Sequence, residues 1–192
     1  MSDPKSKTSD QQVLATALMK CVEETFTSKG NLAFSNTPEF KARNIIEYDS
    51  KMQVSGLEKF NDPAYVAAVN FYLTEELQKK RDTCGAIIAF VEEDSSSRLL
   101  KALGYSGFKD EDEDLIMDKC GEFCSFLAEK FKEELGKSGF KSFLLSAPVK
   151  GKNNVPGGVD FPYHQYTYHE ASFYVWKKKI FVVDIVMGPE FS

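Results

Sequence analysis

The strongest constraint on how this chain can fold lies between Ile116 and Phe140. At about 100° per residue, Ile116, Cys120, Cys124, Leu127, Phe131 and Leu135 share one stripe, while Asp118, Glu122, Ser125, Glu129 and Lys132 fall on the other side. The acidic run Asp110 to Asp114 precedes or opens this helix, where unpaired N–H groups favour negative charge. Lys130, Lys132 and Lys137 gather toward its other end, and Gly136 and Gly139 stop it. A long helix with one apolar stripe has to lie on another element.

The remaining segments supply that element. Val13, Leu14, Ala17, Leu18, Cys21, Val22 and Phe26 recur at helical spacing, predicting a first amphipathic helix from Gln12 to near Gly30. Residues 31–63 are mixed and predict at most a weak strand or two before the turn at Asn61-Asp62-Pro63. AYVAAVNFYL (64–73) and GAIIAFVEE (85–93) read as two antiparallel strands joined by the charged TEELQKKRDT. Asp94 is placed to cap a short helix that stops at Gly104. FKSFLLSAPV (140–149) reads as a strand and KGKNNVPGG (150–158) as a loop. HQYTYHEASFYVW (164–176) and IFVVDIVM (180–187) then form the longest strand pair, turned by Lys177 to Lys179. So few helical crossovers exclude a parallel sheet, and the expected class is α+β, a mostly antiparallel sheet with long helices packed on it.

With 192 residues and 42% hydrophobic content, the chain is sized for one well-buried domain, read here as residues 11–192 behind a disordered polar leader at 1–10. A net charge of -5 argues against a nucleic-acid or anionic-membrane surface. There is neither an apolar run of membrane-spanning length nor the residue order of a signal peptide, so a cytoplasmic location is expected. The four cysteines lie in apolar-patterned segments and read as free thiols. His164 and His169, an odd number of residues apart in a strand-like run, point to opposite faces and cannot chelate together. No metal site is expected. Asp184 is an odd charge inside a strand, to be found at an edge or paired.

On the outward stripe, Glu122 and Ser125 are surface neighbours three residues apart, and Phe126 lies close to Glu122 on the solvent side. Spacing alone does not distinguish such a pair from an ordinary solvated face. The run TCGAIIAFVEEDSSSRLLKALG, followed by DEDLIMDKCGEFCSFLAEKFKEELGKSGFKSFLLSAPV, resembles the chemotaxis phosphatase CheX, of the family that also contains CheC and FliY. The likeness is carried by a strand after a Gly, a short helix ending at Leu-Gly, an acidic run, a Glu-x-x-Asn helix continuing into Lys-x-x-Leu, and a Ser-x-Pro step. It covers about half the chain, Cys84 to Lys150, and the first helix carries no second Glu-x-x-Asn, which is similar to CheX and unlike CheC.

The resemblance implies long helices on an antiparallel sheet, often as a homodimer, and a protein that removes phosphate from the aspartyl-phosphate of a CheY-type response regulator. In that family the Asn orients a water for in-line attack and the Glu pairs with the regulator's active-site Lys. This chain would bind no cofactor, the Mg²⁺ belonging to the regulator. Carried across, the Glu is Glu122 and the Asn position holds Ser125, a departure in the half of the motif that handles water. Asp118, Phe126 and Glu129 are the accompanying candidate partner contacts. Two readings follow: a phosphatase with Glu-x-x-Ser in place of Glu-x-x-Asn, or a non-catalytic module of the same fold that still binds a response regulator.

Overall fold

The computed structural model describes residues 4–189. In chain order the elements are α1 (Pro4–Gly30), β1 (Glu39–Asn44), β2 (Glu47–Tyr48), β3 (Lys51–Met52), α2 (Gly56–Phe60), β4 (Ala64–Tyr72), α3 (Glu75–Lys80), β5 (Gly85–Glu92), α4 (Glu93–Ala102), α5 (Glu113–Lys137), β6 (Leu144–Leu145), β7 (Val149–Lys152), β8 (Thr167–Val175) and β9 (Lys178–Met187). Seven strands form one sheet in the order β1-β8-β9-β5-β4, with β6 and β7 sharing the far edge of β4, and every ladder in it is antiparallel. The α+β expectation holds.

Alternation along the strands sorts the core into two faces. Tyr65, Ala67, Val69 and Phe71 of β4 meet the long helices, whereas Val66 and Ala68 face the opposite side. Both sides are covered, so β4 and β5 are buried along their whole length and read as almost unbroken apolar runs. On the helix side, Phe26 of α1, Phe123 of α5 and Phe181 of β9 pack with ring centroids 5.2 to 6.2 Å apart, which fixes α1 beside α5. Lower down, Phe71 lies between Phe131 and Phe143, at 6.3 and 4.6 Å. On the other side, α2, the β2–β3 hairpin and the chain from Val155 to Phe161 cover Phe90, Val182 and Val186.

Several sequence expectations are corrected. The helical backbone of α1 already begins at Pro4, inside the stretch read as a leader, because proline is tolerated in a first helical turn and the polar residues after it are not helix breakers. Residues 1–3 lie outside the described part. The linker TEELQKKRDT contains α3, capped by Thr74, whose hydroxyl accepts from the Leu77 N–H at 3.2 Å. Helix α4 starts one residue before Asp94, with Glu92 at the cap position and no side-chain capping bond. The strand expected at 140–149 is broken into β6 and β7. Ser146 bridges the break: its N–H donates to the Asn70 carbonyl, and its hydroxyl accepts from the Asn70 N–H, both at 2.9 Å. β7 takes its residues partly from the expected loop, and Gly151 is required there because a Cβ would sit 2.2 Å from the Asn154 carbonyl oxygen. His164 is not in a strand but in a turn at φ 68°.

The β8–β9 pair is as expected, turned through Trp176 and Lys177, both at positive φ. Both strands are interior, with β1 outside β8, so the aromatic strand is not a sheet edge. Asp184 is therefore interior too, and it is paired. Lys59 of α2 reaches the sheet to lie 2.7 Å from Glu170 and 2.8 Å from Asp184, and Arg43 of β1 holds the other oxygen of Glu170 at 3.0 Å. Among the described residues, no helix is long and apolar enough to cross a membrane.

Candidate functional site

Helix α5 packs on the β4 side of the sheet, against β4, β5 and β7, and its 25 residues divide as the periodicity requires. Ile116, Cys120, Cys124, Leu127, Phe131 and Leu135 are all buried against β4, β5 and α1. Asp112 caps the first turn, accepting from the Leu115 N–H at 3.3 Å. The last turn closes through the Ser138 N–H, and Gly139 leaves at φ 86°. Anchored at both ends and along one side, the helix presents a fixed outward face, the kind of rigid support a positioned side-chain pair needs.

That face carries the sequence-predicted residues as neighbours. Glu122 is exposed and, among the described residues, makes one ion pair, with Lys119 at 2.7 Å one turn earlier. A surface pair of this type is worth about 0 to 1 kcal/mol, so an incoming cation can replace Lys119 at little cost. Ser125, one turn further on, is half-buried. Among the described residues its hydroxyl has no hydrogen-bond partner. This distinguishes it from Thr16, Thr25 and Ser28 of α1, whose hydroxyls donate to carbonyls four residues back at 2.5 to 2.8 Å. A hydroxyl left out of the helix ladder keeps one donor and two acceptor positions for water.

The flanking residues differ in availability. Asp118 is engaged by Lys150 of β7 in an ion pair. Beside it Gly121 is buried, and a Cβ there would touch Lys150 and Pro148 at 3.4 to 3.7 Å, so the linker before β7 closes one flank of the face. Glu129 is exposed with no ion pair among the described residues. Phe126 is not a free aromatic anchor. It is half-buried, and the Lys29 ammonium of α1 lies 3.6 Å from its ring centre, with Tyr105 5.9 Å from the same ammonium. Burial, then the field of Glu122, raises the Tyr105 phenol to about 12, so it stays neutral at physiological pH. Lys29 and Tyr105 belong to other elements, and no spacing within α5 could have found them. Lys119 was legible at three residues from Glu122.

The thiols under this face are not nucleophiles. Cys120 and Cys124 are fully buried, desolvation raises both, Cys124 to about 12, and the Cys124 Sγ donates to the Ala67 carbonyl at 3.3 Å.

No protein-family model and no curated protein sequence matches the chain. Solved structures do match. A CheC-like superfamily protein from Shewanella sp. PV-4 aligns at a TM-score of 0.59 and 12% identity, covering 91% of this chain and 96% of that one. FliY from Thermotoga maritima aligns at 0.57 and 14%, over 100% of this chain and 93% of its own. CheX from Borrelia burgdorferi, solved as a CheX–CheY–BeF3–Mg²⁺ complex, aligns at 0.53 and 12%, over 91% and 97%. At these identities the fold is what is shared: the chain has the CheC/CheX/FliY fold over almost its whole length.

Proposed function

We propose that this chain, which has the fold of the CheX, CheC-like and FliY chemotaxis proteins, docks the outward face of α5 on a phosphorylated CheY-type response regulator. There Glu122 and Ser125 would accelerate loss of the aspartyl phosphate. The observation that carries this reading is the pairing of an exposed, exchangeable Glu122 with an unpartnered Ser125 hydroxyl on the open side of a helix otherwise fixed in the core. The Borrelia CheX structure holds CheY with BeF3 and Mg²⁺, which supports a partner of that kind.

In the reaction, Glu122 exchanges Lys119 for the regulator's active-site Lys and thereby registers the helix over the acyl phosphate. Ser125 accepts a hydrogen bond from one water and directs its lone pair at phosphorus. The oxygen–phosphorus bond to water forms as the phosphorus–carboxylate bond breaks. The electron pair leaves with the aspartate carboxylate, and the water's proton passes to solvent. An acyl phosphate is already activated, so positioning alone contributes a useful part of the rate. A second reading, a non-catalytic module that binds the same regulator, is favoured by the half-burial of Ser125, whose hydroxyl ends closer to its own helix than an Asn amide would.

Both readings make one binding prediction. The protein binds the BeF3-loaded form of its regulator more tightly than the unloaded form in calorimetry, and Glu122→Ala weakens that binding by about five- to tenfold, as expected for a charged hydrogen bond at a partly desolvated contact. Equal affinity for both forms, or no effect of Glu122→Ala, removes α5 as the docking face. Phe126→Ala acts less directly, since it also releases Lys29 from its ring.

A homodimer belongs to the same proposal. β8 and β9 are interior, and β1, six residues long and paired on one side only, is an edge strand of the sheet. Pairing of β1 with its copy extends the sheet across a two-fold axis. Light scattering at tens of micromolar gives the mass of two chains, and Ala42→Pro, which removes a backbone donor from β1, gives one. A single-chain mass for the parent rejects the dimer and leaves the docking face untouched. A cytoplasmic location follows from the partner.

A further inference from the structure

Viewed down α5, the outward face has an order. Glu122 is central, with Ser125 about 60° to one side of it and Phe126 about 40° to the other, by the step of about 100° per residue. The two flanks are unlike. On the Ser125 side, Pro148 and Lys150 close over Gly121, and the Lys150 ammonium is taken by Asp118. On the Phe126 side, an open groove of about 410 Å³ runs between α5 and α1, lined by Glu24, Thr27, Ser28, Phe126 and Lys130.

Lys29 stands on that open flank. Its ammonium lies 3.6 Å from the Phe126 ring centre and 5.9 Å from that of Tyr105, so aromatics from two different elements hold it. The backbone beneath it is fixed as well. Just past Lys29 the chain turns back, with the Leu32 N–H donating to the Phe26 carbonyl at 3.0 Å, and the Phe26 ring packs on Phe123 of α5. A place in the last turn of α1 accounts for a cation there, through the helix dipole, but not for its seat against α5. Lys29 also differs from its neighbours on this face. Lys119, Lys130 and Lys150 are each committed to a carboxylate, of Glu122, Glu133 and Asp118. Lys29 is exposed and has no ion pair among the described residues. An ammonium resting on a ring turns one side to it and keeps N–H donors pointing outward.

A cation held in place with donors unspent suits an anionic group on whatever docks. The phosphoryl group is not that anion, because water and phosphorus belong on the Ser125 side of Glu122 and Lys29 is on the opposite side. Resting on the docking proposed above, we infer that Lys29 is a specificity-determining contact, pairing with a carboxylate on the regulator's surface that lies across its active-site Lys from the phosphoryl group. Glu122 alone is one point of contact, about which a bound regulator can rotate. Glu122 and Lys29 together present an anion and a cation in fixed order. A regulator carrying the complementary cation and anion is held in one orientation, and one with a cation opposite Lys29 is repelled. Because the ring holds the ammonium beforehand, little side-chain freedom is lost on pairing.

Titration of BeF3-loaded regulator into the intact chain at low salt tests this. Lys29→Gln weakens binding by about threefold and Lys29→Glu by about tenfold, sizes usual for a charge at an interface rim, whereas Lys29→Arg binds as the parent does. The side chain is exposed, so these variants keep the parent's thermal midpoint. Lys79→Glu, the same change of charge on exposed α3, leaves the affinity unchanged. High salt narrows the gap between the parent and Lys29→Gln. Among regulator variants with one carboxylate near the phosphorylation site changed to Lys, one restores binding to Lys29→Glu while weakening binding to the parent, and it identifies the paired group. No binding by the parent rejects the docking face and Lys29 with it. Binding that Glu122→Ala weakens and Lys29→Glu does not rejects Lys29 alone. An equal loss in Lys29→Glu and Lys79→Glu, or no rescue by any carboxylate-to-Lys variant, also overturns the pairing.

Discussion

Replacing Ser125 with asparagine is expected to speed decay of the phosphorylated CheY-type regulator by up to about a hundredfold over the parent, the factor that a water displaced by roughly 1 Å can cost. The amide reaches further from the helix than the hydroxyl and offers a donor and an acceptor together. The site is half-buried on the outward stripe, so stability should change by no more than about 0.5 kcal/mol. Glu122→Ala is expected to abolish the acceleration in either background, because registration over the regulator precedes any use of the water. Phosphorylated regulator followed by loss of label gives the rates. Strong acceleration by the parent, slowed in Ser125→Asn, makes the hydroxyl itself the working group. Binding without acceleration in both proteins selects the non-catalytic module. Absence of both binding and acceleration rejects the proposed function and leaves the fold intact.

Lys59→Met is expected to destabilise the fold by about 3 to 5 kcal/mol, the usual cost of removing one partner from a buried ion pair. Lys59 is 7% exposed and supplies the cation between Glu170 and Asp184, while Arg43 touches Glu170 alone. Burial alone would lower the Lys59 ammonium, but the two carboxylates raise it above the ordinary lysine range. Burial raises Asp184 to about 7 with Lys59 opposing, whereas Glu170 is held below its usual value by Lys59 and Arg43 against the push of burial.

The pH dependence follows from those directions. Asp184 titrates higher folded than unfolded, so its contribution is fully present below the unfolded value and is lost as pH rises toward 7. Glu170 works in reverse, its contribution being lost as pH falls through its lowered value. Without Lys59, Asp184 rises further, so the penalty of Lys59→Met should be larger at pH 8 than at pH 5. Urea midpoints at the two values measure it, and an equal or smaller loss at pH 8 would refute the paired arrangement.

The α5 stripe, the β4–β5 and β8–β9 pairs and the placing of Glu122 beside Ser125 were all legible in the sequence. Each depends on a period of 3.6 or 2 that local backbone geometry enforces, whatever the helix or strand packs against. The cysteines were legible as buried for the same reason. What failed was set mostly by distant partners. The break between β6 and β7 falls at Ser146 to Pro148: Pro148 has no N–H for the ladder, a sign the sequence did carry, whereas the Ser146 hydroxyl's bond to Asn70, 76 residues away in the chain, could not be read from 140–149.

Asp184 shows the division most plainly. Its strand was evident from IFVVDIVM, and alternation assigns it to the face opposite Val183 and Ile185. That this face meets a lysine, and that the lysine comes from a five-residue helix in the least readable part of the chain, was decided by how residues 31–63 fold back over the sheet. Phe126 is a parallel case, outward by helical arithmetic yet covered by Lys29 once α1 lies against α5. The sequence by itself determined which side of each helix and strand is apolar, because side-chain direction is a local property of the backbone. Only the tertiary structure decided which polar groups on the other side keep company with water and which with one another, because charges meet through contacts between residues far apart along the chain.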